Sequence, residues 1–161
     1  MPVESGRPVG EYPRIFLDSN VLVYAYSTTD LEKRERARAL AEDPGAVIST
    51  QVLSEFANVV LRKFGMPLSE ARRRTAELAA RCDVIAVTPS IVNEAFRVRE
   101  RFGFGFFDSQ IVASALFAGA TTLYSEDLHH GQVIDSILRI VSPFAPAAKQ
   151  RRARYRVRRP R

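Results

Sequence analysis

Arg14-Ile-Phe-Leu-Asp18-Ser-Asn20 is a short apolar run that ends in a polar turn. The run predicts a buried strand, and the apolar residues 20–26 predict a helix that begins at this turn. Further apolar runs predict strands at 46–49, 83–88, 121–124 and 138–141. Between them, residues 31–42, 51–64, 69–81 (capped by Ser69), 90–102 and 106–118 have helical patterns. Strands that alternate with helices indicate right-handed crossovers and a mainly parallel sheet.

Composition limits the possible classes of protein. The chain has 161 residues, of which 46% are hydrophobic, so we expect one folded domain. No apolar run approaches the roughly 18 residues that cross a bilayer, and the N-terminus lacks the pattern of a secretory signal. The single cysteine, Cys82, rules out an internal disulfide and is consistent with a reducing cytoplasm. We expect a leader over 1–13, an α/β domain over 14–142 and a basic Pro- and Arg-rich tail over 143–161.

The positive charge of the chain belongs to its C-terminal tail. Residues 149–161 carry eight of the 24 basic residues and no acid. The remainder has 16 basic and 18 acidic residues, a net charge of −2. The body is therefore close to neutral.

Four acidic residues occupy positions that the formation of a hydrophobic core does not explain. Asp18 and Asp127 follow predicted strands, whose carboxyl ends should meet at one edge of the sheet. Glu55 and Asp108 lie on helices that should flank this edge. Three of them have a simpler explanation when taken alone: a helix cap for Asp18, a boundary residue for Glu55 and a polar surface turn for Asp127.

Asp108 is the hardest of the four to explain by capping. It begins a helix that is apolar on nearly every side. The helix dipole stabilises an acid in the first turn by roughly 0.3–1 kcal/mol, whereas burial of an ion costs several kcal/mol. A cluster of oxygen ligands without a Cys or His pair is typical of Mg²⁺ or Mn²⁺ sites. The pattern therefore indicates a metal-dependent hydrolase.

Four segments, taken in order, resemble the PIN domain family, and most closely its VapC-type toxin ribonucleases. They are Ile15-Phe-Leu-Asp18-Ser-Asn-Val-Leu-Val-Tyr24, Ser54-Glu55-Phe56, Phe107-Asp108-Ser-Gln-Ile-Val-Ala-Ser-Ala115 and Leu123-Tyr-Ser125-Glu-Asp127-Leu128. The resemblance covers about residues 14–142 and implies a PIN-like three-layer α/β/α sandwich. It also implies that the four carboxylates are catalytic metal ligands, supported by Asn20 and Ser125.

The resemblance further implies the activity and the partners. It predicts a Mg²⁺-dependent endoribonuclease, with Mn²⁺ as a substitute metal, that acts in the cytoplasm as a homodimer and is held by a cognate antitoxin. The alternatives are a non-catalytic RNA-binding or regulatory module, a DNA nuclease, or a phosphatase. The phosphatases of the haloacid dehalogenase group need a second Asp where this chain has Asn20.

The basic tail lies outside the family pattern. Arg151, Arg152 and Arg154 could follow an RNA backbone, and Tyr155 could stack on a base. The alternative is a solubilising tail with nonspecific affinity for polyanions.

Overall fold

The structure is a computed structural model that describes residues 10–146. Its centre is a sheet of six short strands: β1 (Ile15–Leu17), β2 (Ala46–Ser49), β3 (Asp83–Ile85), β4 (Thr122–Tyr124), β5 (Val133–Ile134) and β6 (Leu138–Val141). The strand order is β3-β2-β1-β4-β6-β5. All neighbours pair in parallel except β5 and β6, which are antiparallel. The predicted mainly parallel sheet is confirmed.

Six helices connect the strands. They are α1 (Ser19–Tyr24), α2 (Leu31–Ala41), α3 (Thr50–Arg62), α4 (Leu68–Arg81), α5 (Pro89–Phe102) and α6 (Phe106–Phe117). The chain moves outward in one direction from β1 to β3 and then returns to β4 on the other side of β1. Right-handed crossovers therefore place α1 to α4 on one face of the sheet and α5 and α6 on the other. The predicted three-layer α/β/α sandwich follows from this path.

The two central strands set the position of the polar edge. Leu17 at the end of β1 pairs with Tyr124 at the end of β4, so the two strands end side by side. Because the chain continues from β1 to β2 on one side and from β4 to β5 and β6 on the other, the carboxyl ends of β1 and β4 mark the position at which a crevice forms in an open α/β sheet. The residues that follow these strands are thus brought together although they are more than 100 positions apart.

Helix α6 is buried in its middle and exposed at its ends. Seven consecutive residues, 109–115, are buried, which confirms the predicted central helix over that stretch. The side chains of Phe107 and Phe117 are instead 67% and 66% exposed. The prediction that this helix is buried on nearly every side was therefore wrong at both ends.

Three local predictions also need correction. Helix α4 begins at Leu68, and Pro67, not Ser69, occupies the capping position, because proline fits the start of a helix without a free N–H. Strand β3 ends at Ile85, since the hydroxyl of Thr88 accepts a hydrogen bond from the amide of Ile91 and caps α5. The two-residue β5 was missed because it is too short to give a periodic signal.

The terminal predictions lie mainly outside the described residues. Residues 1–9 of the leader and 147–161 of the tail, with the predicted RNA contacts, are not described. The start of the tail is described: Pro143 is buried, and the Phe144 ring packs against Tyr24. No helix within 10–146 is long and apolar enough to cross a membrane.

Candidate active site

Asp18 is the most buried of the four carboxylates, at 4% exposure. It follows β1 and caps α1, so its Oδ1 accepts from the backbone amide of Ser19 at 2.7 Å. Its Oδ2 accepts from the hydroxyl of Ser125 at 2.8 Å and from Nδ2 of Asn20 at 3.2 Å. Both carboxylate oxygens are therefore fixed by donors from the two crevice-forming turns.

Asn20 joins the turn after β1 to the turn after β4. Its Nδ2 also lies 3.0 Å from Oδ2 of Asp127, and its Oδ1 accepts from the amide of Glu126 at 3.1 Å. Ser125 completes this connection by accepting from the amide of Asp127 at 3.3 Å. The side-chain amide of Asn20 and the hydroxyl of Ser125 thus bridge Asp18 and Asp127, and these hydrogen bonds connect the turn after β1 to the turn after β4.

Glu55 reaches the same edge from α3. Its Oε2 accepts from the hydroxyl of Ser19 at 2.7 Å, and its Oε1 accepts from Nε2 of Gln51 at 2.8 Å. The Oε1 of Gln51 in turn accepts from Nε2 of Gln110 on α6 at 2.7 Å. A pair of glutamines therefore ties the position of Glu55 to the helix that carries Asp108.

Asp108 differs from the other three because it has no hydrogen-bond or ion-pair partner among residues 10–146. Burial raises the pKa of its carboxyl group above the usual range, and the nearby charges of Asp127 and Glu55 raise it further. Asp108 is only partly buried, because α6 leaves its first turn near the surface. Its lone pairs remain available to a ligand.

The four acids repel one another. Burial raises the pKa of Asp18 to about 6, and the charges of Glu55 and Asp108 add to the shift. The hydrogen bonds from Ser125 and Ser19 oppose it but do not cancel it. No ion pair within the described chain neutralises any of the four.

The donor chemistry of this edge fits a hard divalent cation, because every candidate ligand is a carboxylate oxygen. Donor side chains still stand between the acids: Ser19 lies between Asp18 and Glu55, and Asn20 between Asp18 and Asp127. Accordingly, no three acidic, His or Cys side chains of residues 10–146 are grouped closely enough to hold a metal ion.

Hydrogen bonds connect Asp18 with Asn20 and Ser125, Asn20 with Asp127, and Ser19 with Glu55. Asp108 is linked to this group only by the charges of Asp127 and Glu55. Of the two acids after β4, Glu126 pairs with Lys33 at 3.1 Å, while Asp127, although exposed, contacts Asn20. His129 is exposed, as expected for a turn, but Nδ1 of His130 accepts from the amide of Ser142 at 2.9 Å.

Sequence reasoning missed three polar side chains of this edge: Ser19, Gln51 and Gln110. Gln110 gave a signal that could have been used, because it lies in the middle of an apolar helix and is 7% exposed. Ser19 and Gln51 gave none, since a serine in a turn and a glutamine in the first turn of a helix are ordinary.

Solved structures with a similar fold include a toxin and a toxin–antitoxin complex. The toxin VapC20 of Mycobacterium tuberculosis, described as cleaving the sarcin-ricin loop, is 23% identical, with a TM-score of 0.57; the match covers 70% of this chain and 89% of the toxin. A toxin–antitoxin complex from Klebsiella pneumoniae gives 21% identity, a TM-score of 0.62 and coverage of 82% and 99%. VapBC2 from Rickettsia felis, bound to a promoter DNA fragment, gives 19% identity, a TM-score of 0.58 and coverage of 78% and 97%.

The sequence comparisons give a family but no individual relative. No curated protein matches the chain. Residues 15–135, which include all four carboxylates and every strand except β6, match the PIN domain. This match spans well over half of the chain, and the fold agrees with it. The chain therefore belongs to the PIN domain family.

Proposed function

We propose that this protein is a Mg²⁺-dependent endoribonuclease, the toxin of a toxin–antitoxin pair. The observation that carries the proposal is the approach of four carboxylates to the edge where β1 and β4 end, with no cationic side chain of residues 10–146 paired to any of them. Burial raises the pKa of the Asp18 and Asp108 carboxyl groups, and the charges of the neighbouring acids raise it further. A cation bound among the acids would relieve their mutual repulsion, and the acids lie beyond the carboxyl ends of the strands, where open α/β sheets form their binding sites.

Asp18, Glu55, Asp108 and Asp127 are the residues that would hold the metal ion. Mg²⁺ or Mn²⁺ would lower the pKa of a water molecule and neutralise charge on the phosphate under attack. Asp108 would offer the ion carboxylate oxygens that accept no hydrogen bond within residues 10–146. Asp18 is held in place by its three neighbours and provides a fixed second oxygen.

The remaining side chains of the edge position the acids. Asn20 and Ser125 orient Asp18, and Ser19 and Gln51 orient Glu55. In the proposed reaction, water attacks the phosphorus atom in line and the ribose 3′-oxygen leaves with a proton. The products carry 5′-phosphate and 3′-hydroxyl ends.

The partners are proposed from the neighbours in fold. One of those structures is described as a toxin and another as a toxin–antitoxin complex, and we extend to this chain an RNA substrate, a cognate antitoxin and a homodimeric state. RNA cleavage controlled by an antitoxin would take place in the cytoplasm.

The test compares purified wild type with Asp108→Asn and Asp18→Asn on RNA, with Mg²⁺ or with EDTA. Glu100→Gln, an exposed acid of α5, is the matched control. We expect cleavage by wild type and the control only with Mg²⁺, and a loss of at least about 100-fold in the two site variants. Full cleavage by both folded site variants would refute the assignment.

One observation favours the alternative of a non-catalytic RNA-binding or regulatory module. The described residues contain no ready-made group of three metal ligands. The same assay separates the two functions: binding of RNA without Mg²⁺-dependent cleavage by wild type supports the alternative. A DNA oligonucleotide of the same sequence, incubated in parallel, tests for a DNA nuclease.

A further inference from the structure

The turn after β4 carries two adjacent acids, and only Asp127 belongs to the candidate site. Asp127 is exposed, and its contact across the edge is Nδ2 of Asn20 at 3.0 Å. The carboxylate of Glu126 instead forms an ion pair of 3.1 Å with Lys33 on α2. Among the ion pairs within residues 10–146, this is the only one that includes an acid of either turn. An unpaired Glu126 would add a fifth negative charge to an edge where four carboxylates already repel one another.

The side chain of Lys33 is itself held in place by its surroundings. Its ammonium group lies 4.6 Å from the centre of the Tyr24 ring and 5.2 Å from that of Phe144, and these two rings pack edge-on against each other. Its Nζ also donates to the hydroxyl of Tyr24 at 3.4 Å. The backbone amide of Lys33 donates to Oδ1 of Asp30, which caps α2. Because packing has already ordered this lysine, its ion pair with Glu126 costs little further side-chain entropy.

The ion pair acts on the residue whose backbone joins the two turns of the site. The amide of Glu126 donates to Oδ1 of Asn20 at 3.1 Å, and the amide of Asp127 donates to the hydroxyl of Ser125 at 3.3 Å. Glu126 is therefore held through its side chain by α2 and through its backbone by the turn after β1. Two restraints on one residue fix the orientation of the turn after β4, and with it the position of Asp127.

We propose that Lys33 is a positioning residue of the candidate active site. By pairing with Glu126, it neutralises the extra charge and fixes the turn after β4, so that Asp127 stays beside Asn20. Lys33 acts through Glu126, because it forms no hydrogen bond or ion pair with the four acids of the site. The effect on a metal ion rests on the proposed function, whereas the effect on the order of the turn does not.

The first test measures Mn²⁺ affinity by electron paramagnetic resonance of the free ion. Lys33→Met is compared with Lys63→Met, a matched control that removes the same charge from an exposed lysine at the end of α3. We expect Lys33→Met to bind Mn²⁺ about tenfold more weakly, as for other residues that orient ligands, and Lys33→Arg to keep most of the affinity. Lys63→Met should change the affinity by less than about twofold, because its charge is screened by solvent. A role through charge alone acts in the opposite direction, since an edge with one cation fewer attracts Mn²⁺ more strongly.

The variant Glu126→Gln tests the same ion pair from its other side. Each single change, Lys33→Met or Glu126→Gln, should weaken Mn²⁺ binding about tenfold, and the double variant should lose no more than about tenfold, because both changes remove one interaction. A loss in the double variant equal to the product of the two single losses would mean that the residues act independently, which overturns the proposal.

The second test needs no metal ion. Amide hydrogen exchange, followed by nuclear magnetic resonance in EDTA, reports how often the amides of Glu126 and Asp127 leave their side-chain acceptors. Both amides should exchange at least about tenfold faster in Lys33→Met than in wild type, because the turn opens more often. The amide of Val52, which donates to the hydroxyl of Ser49 in the cap of α3, should keep its rate and show that the fold is intact.

The outcomes separate this inference from the proposed function. Unchanged exchange of the two amides in folded Lys33→Met, or a Mn²⁺ affinity that stays the same or rises, overturns the role of Lys33 even if wild type cleaves RNA. If wild type binds no Mn²⁺, the exchange rates decide: faster exchange supports the positioning role and refutes the metal-dependent nuclease instead. If Lys33→Met does not fold, Glu126→Gln is judged by the same exchange criterion, since it removes the same ion pair.

Discussion

Replacing Asp18 by asparagine should stabilise the metal-free protein at neutral pH. The folded state raises the pKa of this buried carboxyl from 3.8 to about 6, and asparagine cannot ionise. A shift of about two pKa units corresponds to roughly 3 kcal/mol at about 1.36 kcal/mol per unit. This value is an upper limit, because asparagine provides one acceptor oxygen where the carboxylate provides two.

The direction of the pH dependence follows from the raised pKa. The folded state binds the Asp18 proton more tightly than the unfolded state, so the favourable contribution of this group is full below pH 3.8. It is lost as the pH rises toward 6. Of the roughly 3 kcal/mol, about 1.4 kcal/mol is lost between pH 5 and pH 8. The stabilities of wild type and variant can be compared in this range without extreme acid.

Urea unfolding in EDTA at several pH values between 5 and 8 measures this difference. The advantage of Asp18→Asn over wild type should grow with pH and level off above about 7. Asp135→Asn provides a control of opposite character, since hydrogen bonds from Arg97 lower the pKa of Asp135. Its ion pairs are lost at every pH in this range, so it should destabilise the protein by a constant amount.

Two results would contradict the reasoning about Asp18. The first is a stability difference between wild type and Asp18→Asn that does not change with pH, which would mean that the carboxyl is not strained in the folded state. The second is a variant less stable than wild type throughout, which would mean that the donors around Asp18 outweigh the repulsion. Mg²⁺ should reverse the order of stability, because it stabilises only the protein that binds it.

Two further changes test the supports of the crevice. Gln110→Ala removes the donor that holds Gln51. We expect kcat to fall about tenfold with KM unchanged, as for other residues that orient ligands. If kcat equals that of wild type, the glutamine pair is only structural. Gly45→Ala places a methyl group in collision with the carbonyl oxygen of Pro13, and we expect the free energy of unfolding in urea to fall by about 3 kcal/mol. An unchanged unfolding midpoint would mean that the backbone moves freely there.

The sequence predicted the sheet and the location of the acids because both depend on local patterns. A buried strand followed by a polar turn is visible at Asp18, and the same is true at Asp127. What remained hidden depends on contacts between distant elements. The bond between Gln51 and Gln110 joins residues 59 positions apart, and no local pattern encodes it. The difference in burial between Asp18 and Asp108 likewise follows from the packing of α6 and not from its composition.

The differences among the carboxylates indicate how the site divides its work. Asp18 has both oxygens occupied by donors and cannot move without breaking them. Asp108 has no partner within the described chain and faces the charges of its neighbours. Because Asp18 is held in place by its donors, it should determine the position of a bound metal ion. Because the charge of Asp108 has no partner within residues 10–146, a bound cation stabilises it most, so Asp108 should contribute most to the affinity for the metal. The loss of metal affinity should therefore be larger for Asp108→Asn, whereas the loss of kcat at saturating metal should be larger for Asp18→Asn.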